Sequence, residues 1–390
     1  DKDTYNSIVR ADEMSRKKFG GHGSAVGQAY SHMILPLANQ KDKDTQVIWG
    51  IKDFENRFGR KPKGMWLAET AVDTPTLEIL VEEGIKFTIL APRQAKAFRN
   101  VGDEHWNQLG HAEVDPRKGY WCNLPSGKKI ALFFYDGRVA QDVAFNNLLA
   151  NGKALAGRIL ETIDYGTDEP QIANIATDGE SYGHHHKKGD MALADCLNYI
   201  EKNNIAKLTN YGEYLEKYPP QNEVMIYENS SWSCVHGVER WRSNCGCNTG
   251  GEGHWNQAWR APLRDALDWL QGELTKVYEE KAGEILKDPW AARNDFIEVI
   301  IDRSAASVER FLNKHKIKET VSLEDKVTVL RLSEMERNAM YMYTSCGWFF
   351  TEVSGLETTQ ILQYACRTIY YARQVANVDL EAEFIERLSK

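Results

Sequence analysis

"IATDGESYGHHHKKGDMALADCL", residues 175–197, decides the reading of the chain. An apolar run, Ile172 to Ala176, stops at Asp178, and a glycine, Glu180 and three consecutive histidines follow. Beyond them "DMALADCLNYIEKN" reads as a helix. A buried strand that ends in ionisable groups and feeds a helix is the unit of a parallel α/β sheet, whose carboxyl strand ends carry the chemistry. Two chemistries suit such an end: a carboxylate acid/base site or a metal site.

Upstream, the same alternation recurs. "VIWGIKDFENRF" puts Val47, Ile48, Ile51, Phe54 and Phe58 on one helical face, with Gly59 as C-cap and Pro62 beyond. "KGMWLAE" reads as a short strand, and "DTPTLEILVEEG" as a helix capped by Asp73 or Thr74, with Pro75 in its first turn and Gly84 closing it. The strand "KFTILAP", a wet loop to about residue 128 and the strand "KIALFFYD" complete the pattern, then a helical stretch leads to the strand "QIANIATDGE". From about Trp255 to Lys390 the texture is almost wholly helical. The expected organisation is a barrel-like part over 1–226, a Trp/Cys/Gly-rich connection over 227–254 and a helical domain over 255–390.

Composition excludes several classes. At 390 residues the chain can hold a large α/β barrel and a further domain. No apolar run approaches the ~20 residues that span a bilayer, so no membrane partner is expected. The net charge of −8 disfavours nucleic acid, which needs a basic face. Seven cysteines without a dense framework favour a reducing, cytoplasmic setting. The opening "DKDTYNSIVRADEM" has neither an initiator Met nor an apolar leader and reads as a start within a domain. The 11 Trp, many beside Gly and polar residues, suit either core packing or flat platforms for sugar rings.

Both "KGMWLAE" and "ANIATDGE" end apolar strands in carboxylates, which makes Glu69 and Asp178 candidates for two acids facing one pocket. Glycoside hydrolysis uses such a pair, one as nucleophile and one to protonate the leaving oxygen. On spacing alone, either acid could equally cap the helix that follows it. The segments "GMWLAETAVDTPTLEIL" and "ATDGESYGHH" resemble the third and fourth signature regions of glycoside hydrolase family 57. "SAVGQAYSHMILPLA", with His32, resembles the second region, and "MYTSCGWFFTEVSG", with Trp348 as a pocket wall, resembles the fifth. "FFYDGRVAQDVAF" is similar to the family's arginine/aspartate segment, aligning Arg138 and Asp142.

The resemblance implies an incomplete (β/α)7 barrel followed by an α-helical domain, with Glu69 as nucleophile and Asp178 as general acid/base. It also implies α-amylase, glucanotransferase or branching activity on an α-glucan or oligosaccharide. Trp66, Glu180, His184 and His185 join the substrate-binding set beside the two acids. The family's first region, a His-Gln-Pro strand end, is absent, and its usual fifth-region aspartate is replaced around Cys346 and Gly347. The expectation is therefore a truncated view of a longer protein, lacking its N-terminal strand and part of the sugar subsite.

The remaining polar groups admit a metal reading. His184, His185 and His186 with Asp190 have ligand chemistry, as do His22, His32 and His236 in polar-flanked turns. Consecutive histidines on an extended stretch face alternate sides, so at most two of the three converge, and contact with sugar hydroxyls is the expected role. Cys234, His236, Cys245 and Cys247 are zinc-ligand types, yet they lack C-x-x-C spacing, and buried thiols are the default. Trp232 and Trp241 are expected on the sugar cleft, whereas Trp255 and Trp259 begin a helix and pack. The expectation is a retaining enzyme with no cofactor and no catalytic metal, transferring glucosyl units to water or to another sugar. Its rivals are a metal-dependent carbohydrate hydrolase or deacetylase, and a non-catalytic glycan-binding protein.

Overall fold

The first expected helix forms as Gln40–Phe58 in the computed structural model, which describes residues 1–389. Asn39 caps it by accepting from the Asp42 N–H, and Gly59 ends it at φ +62, a left-handed position that glycine adopts without Cβ strain. Helix Thr74–Glu82 is opened by Asp73, whose Oδ1 accepts from the Thr76 N–H at 2.9 Å. The other carboxylate oxygen of Asp73 takes the buried Lys43 ammonium at 2.6 Å.

The strands among the described residues are β1 (Gly27–Gln28), β2 (Met65–Trp66), β3 (Phe87–Leu90), β4 (Ala95–Asn100), β5 (Asn107–Gln108), β6 (Gly119–Asn123), β7 (Lys129–Phe134) and β8 (Asn222–Ile226). Internal contacts divide the chain into two compact units. The first comprises 1–26, 62–66 and 80–228; the second comprises 27–61, 67–79 and 229–390. The division is interleaved, so two segments from the expected N-terminal part belong with the C-terminal helices.

The first unit holds a six-stranded sheet in the order β3-β7-β6-β8-β4-β5. β3 and β7 are parallel, from Phe87 opposite Ala131 to Leu90 opposite Phe134, so their carboxyl ends point the same way. The Phe87 and Phe133 rings meet edge to face beneath them. β6 is antiparallel to β7 and parallel to β8, and β4 is antiparallel to both β8 and β5. The wet loop expected before residue 128 is therefore corrected: it supplies β4, β5 and β6 to the sheet. In "AKAFRN" the buried Ala95 and Ala97 alternate with the exposed Lys96, a half-buried strand pattern carried by small residues.

The strand expected at 171–178 is also corrected, because no ladder forms there. Its backbone is tied to loop groups instead. Ile172 N–H donates to Arg117 O at 2.9 Å, Asp136 N–H to Asn174 O at 2.8 Å, and the Asn174 amide to Pro116 O at 2.9 Å. Those bonds do the work of a ladder and fix the segment beside the end of β7.

The second unit is mainly helical. Helix Arg260–Gly283 buries Leu263, Leu267, Leu270 and Leu274 along one stripe. It packs with helices Leu323–Tyr341 and Leu356–Ala376, which contribute Val329, Leu332 and Met335, and Ile361, Ala365 and Ile369. Residues 229–259 are irregular apart from one short helical turn, Glu239–Trp241. Inside this unit the buried Arg293 bonds both Asp42 and Glu336 at 2.8 Å.

Candidate functional site

Glu69 lies in the second unit, in the turn Ala68–Thr70. Its backbone is left-handed, φ +57, and Thr70 follows at φ +52. Such angles are uncommon for residues with a Cβ, and for a β-branched residue such as Thr70 they mark a true outlier that neighbours must hold in place. The restraint comes from the irregular connection. Val72 and Ser230 form an antiparallel bridge, and Trp232 N–H donates to Glu69 O at 3.0 Å. The side chain is fixed as firmly: Oε2 accepts from Trp232 Nε1 at 2.8 Å and from Ser233 Oγ at 2.6 Å. Both donors meet one oxygen, which leaves Oε1 turned to a different direction.

Trp232 thus has a role that composition did not suggest, because its indole N–H orients a carboxylate. Ser233 was missed altogether. Its only sequence signal was its place beside Trp232 in "SSWSC". His32, at φ +55, meets Ser345 through Nδ1 at 2.6 Å, and Ser345 N–H donates to His32 O at 3.0 Å. The segments resembling the second and fifth family regions therefore join directly. Trp241 and Trp348 are each 1% exposed and belong to the hydrophobic core of this unit. Trp348 donates to Met342 O at 3.1 Å and stacks between Tyr343 and Trp259, and both tryptophans line one small cavity. The platform expected of them is corrected to packing.

Asp178 lies in the first unit, at the head of the turn Gly179–Tyr182. It is exposed, as is Glu180. The segment lies beside the end of β7 instead of in a covered ladder, which leaves Asp178 at the surface. Asp178 is an electrostatic neighbour of the buried Tyr135, as are Arg93 and Glu113. Burial, reinforced by Glu113 and Asp178 and opposed by Arg93, pushes the Tyr135 hydroxyl up to about 12. Arg93 follows β3 and Tyr135 follows β7, so the two parallel carboxyl ends supply this setting. Both are legible in the sequence as strand-end residues, in "KFTILAPRQ" and "FFYD".

The other expected residues divide. The histidines occupy tight turns, a correction to the extended stretch: His184 and His185 N–H both donate to Glu180 O. The His184 and His185 rings are exposed with centroids 5.0 Å apart, and His186 bonds Ala144 O at 3.0 Å. Arg138 is exposed, and Asp142 accepts from Asn146 and Arg158, each at 2.8 Å, which together hold its carboxyl below the usual range. Trp66 is half-buried at the end of β2. Among the described residues, the one convergent set of three or more metal-capable side chains is Cys234, His236, Cys245 and Cys247.

Comparison with known proteins adds lineage. The profile of glycosyl hydrolase family 57 matches residues 20–227, and that of a domain of unknown function (DUF3536) matches 255–390. Alpha-amylase 1 of Dictyoglomus thermophilum is 29% identical over 163 residues, 40% of this chain and 20% of the relative. The 4-alpha-glucanotransferase of Thermococcus litoralis is 24% identical over 230 residues, 55% of this chain and 31% of the relative. These matches thus span less than a third of either relative's length. An exo-type maltose-forming amylase from Pyrococcus sp. ST04 superposes with a TM-score of 0.73 at 15% identity, over 97% of this chain and 69% of that one. A branching enzyme from Pyrococcus horikoshii gives 0.58 at 16%, over 99% and 72%. At such identity the likeness is one of fold: the expected α/β class, an incomplete barrel with a helical C-terminal part, is the class found.

Proposed function

Because the chain belongs to glycosyl hydrolase family 57, we propose that it is a retaining glycoside hydrolase or glucanotransferase acting on α-glucans. The observation that carries this reading is Glu69: a strained backbone and two side-chain donors on one carboxylate oxygen hold the residue that the family pattern makes the nucleophile. Oε1 attacks the anomeric carbon as the glycosidic C–O bond breaks, and Asp178 gives its proton to the departing oxygen. Asp178 then removes a proton from water or an acceptor hydroxyl, which attacks the same carbon and releases Glu69. In this reading the bound glucan covers the exposed Asp178 and displaces water from it. In this proposal His184, His185 and Glu180 bond sugar hydroxyls at that end, and His32, Trp66, Arg138 and Asp142 complete the contacts.

In this reading 1–226 with the connection 227–254 builds the catalytic part and 255–390 supports it. The seven cysteines, none of them in a disulfide, support a cytoplasmic setting, and no helix among the described residues is long and apolar enough to cross a membrane. The test is turnover of maltooligosaccharides by the wild type, Glu69→Ala and Asp178→Asn. Both variants should lose activity by several orders of magnitude, and azide should rescue Glu69→Ala as a glycosyl azide of inverted configuration. Undiminished turnover by Glu69→Ala would remove the assignment.

A further inference from the structure

The irregular connection contains a side-chain cluster that the glycosidase chemistry does not use. Cys234, His236, Cys245 and Cys247 bring one ligand atom each within 4.8 Å of one another. The separations inside the cluster can be set against a metal's demands. Tetrahedral zinc with Zn–S near 2.3 Å and Zn–N near 2.0 Å requires about 3.8 Å between sulfurs and about 3.5 Å from sulfur to nitrogen. Cys234 Sγ and Cys247 Sγ lie 3.8 Å apart, and Cys247 Sγ lies 3.6 Å from His236 Nδ1. The spacing that looked wrong in sequence is resolved by the backbone. Gly246, at φ +80, turns the chain between Cys245 and Cys247, and Gly237, at φ +84, does so just after His236. A side chain at Gly237 would collide with Asn229 O, so that turn depends on glycine.

A second, independent observation is electrostatic. Arg260 is 0% exposed and Arg240 5% exposed, and the hydrogen-bond partners of both among the described residues are carbonyls and a thiol, with no carboxylate. Arg260 bonds Phe349 O at 2.9 Å and Phe350 O at 3.0 Å, and its Nη1 faces Cys245 Sγ at 3.8 Å. Arg240 bonds Phe349 O at 3.4 Å and is an electrostatic neighbour of Arg260. The Nε of each is buried without a partner. Two adjacent buried cations with no carboxylate beside them are costly, since uncompensated buried charge destabilises. Three thiolates and a neutral imidazole around a divalent ion carry one net negative charge, which answers them.

We propose that Cys234, His236, Cys245 and Cys247 form a structural zinc site that clamps the connection 232–254. Four protein ligands close the coordination sphere, which suits a structural ion and leaves no position for substrate. Thiolate-rich tetrahedral donors select zinc over calcium or magnesium. Cys234 directly follows Ser233, so the ion would also steady the two donors that hold Glu69 Oε2. The site itself stands whether or not the chain is a glycosidase.

The experiment uses the full chain, purified under non-thiol reductant without chelator, with zinc measured by elemental analysis. It then replaces zinc with cobalt(II) after chelator stripping. The expected result is about one zinc per chain and the visible bands of tetrahedral, thiolate-bound cobalt. Cys247→Ser should lose both. His236 is exposed, so His236→Ala should keep its fold by circular dichroism while its cobalt spectrum collapses, which covers the case that a cysteine variant does not fold. Reduced wild-type chain that binds neither zinc nor cobalt overturns the proposal. So does a Cys234–Cys247 disulfide found by mass spectrometry in protein from reducing cytosol, or a His236→Ala variant with an unchanged cobalt spectrum.

Discussion

Replacing Ser233 with alanine removes one of the two donors on Glu69 Oε2, a hydroxyl at 2.6 Å, and leaves the Trp232 indole at 2.8 Å. A hydrogen bond to a charged group contributes about 1.5–3 kcal/mol. The left-handed backbone at Glu69 opposes it with strain of about 1–3 kcal/mol, so one donor alone roughly balances the tendency to relax. At about 1.4 kcal/mol per factor of ten, kcat should fall about 10- to 100-fold, with KM little changed because the lost contact orients the nucleophile and not the sugar. Trp232→Phe should behave alike. The double variant should lose less than the product of the two, since both donors serve one oxygen and the first loss already frees it. The assay is steady-state hydrolysis of maltooligosaccharides, with circular dichroism as the control for fold. Wild-type kcat in both folded single variants, or an effect confined to KM, would refute the reasoning.

Arg293 is shared between two buried carboxylates, Asp42 and Glu336, and burial raises Glu336 from 4.5 to about 7 despite Arg293. A raised carboxylate binds its proton more tightly when folded, so its contribution is complete below about pH 4.5 and is lost as pH rises through about 7, up to about 3 kcal/mol in all. Urea unfolding at pH 5 and pH 8 should show that fall, and Glu336→Gln should flatten it. Gly50 in helix Gln40–Phe58 approaches the Gln28 carbonyl so closely that a Cβ has no room, and Gly50→Ala should lower stability by several kcal/mol, about the size of a large packing defect; an unchanged melting temperature would count against the packing described. In a crystal with bound oligosaccharide, the Glu69 and Asp178 carboxyls should stand about 5–5.5 Å apart, and a gap beyond ~10 Å would rule out double displacement between them.

The sequence carried those features whose cause is local. Gly59 and Gly84 announced helix ends because a left-handed residue after an apolar helical face is a short-range signal, and both have positive φ. Asp73 was legible as a cap for the same reason. β4 and β6 were not, because "AKAFRN" and "GYWCN" bury small or mixed residues whose alternation shows only once β8 lies between them. The stretch 171–178 had the composition of a strand but its partners are the carbonyls of Arg117 and Pro116 and the N–H of Asp136, a choice made by tertiary surroundings. In the site, Glu69 was legible by motif, but Ser233 is 164 residues away and nothing periodic links them. Trp241 and Trp348 look like surface aromatics in turn-rich sequence, and the helical core of their unit buries them. The four metal-ligand types were visible; that they converge depends on a turn at Gly246 which spacing rules do not encode.

The proposed mechanism turns on a covalent bond between Glu69 and the sugar. It is tested most directly by incubating the full chain with a fluorinated maltosyl fluoride, which slows breakdown of the intermediate, followed by proteolysis and mass spectrometry. A single glycosyl adduct is expected on the peptide containing Glu69, absent from Glu69→Gln. An adduct on Asp178, Glu180 or another carboxylate, or turnover that gives inverted product with no adduct at all, would contradict it.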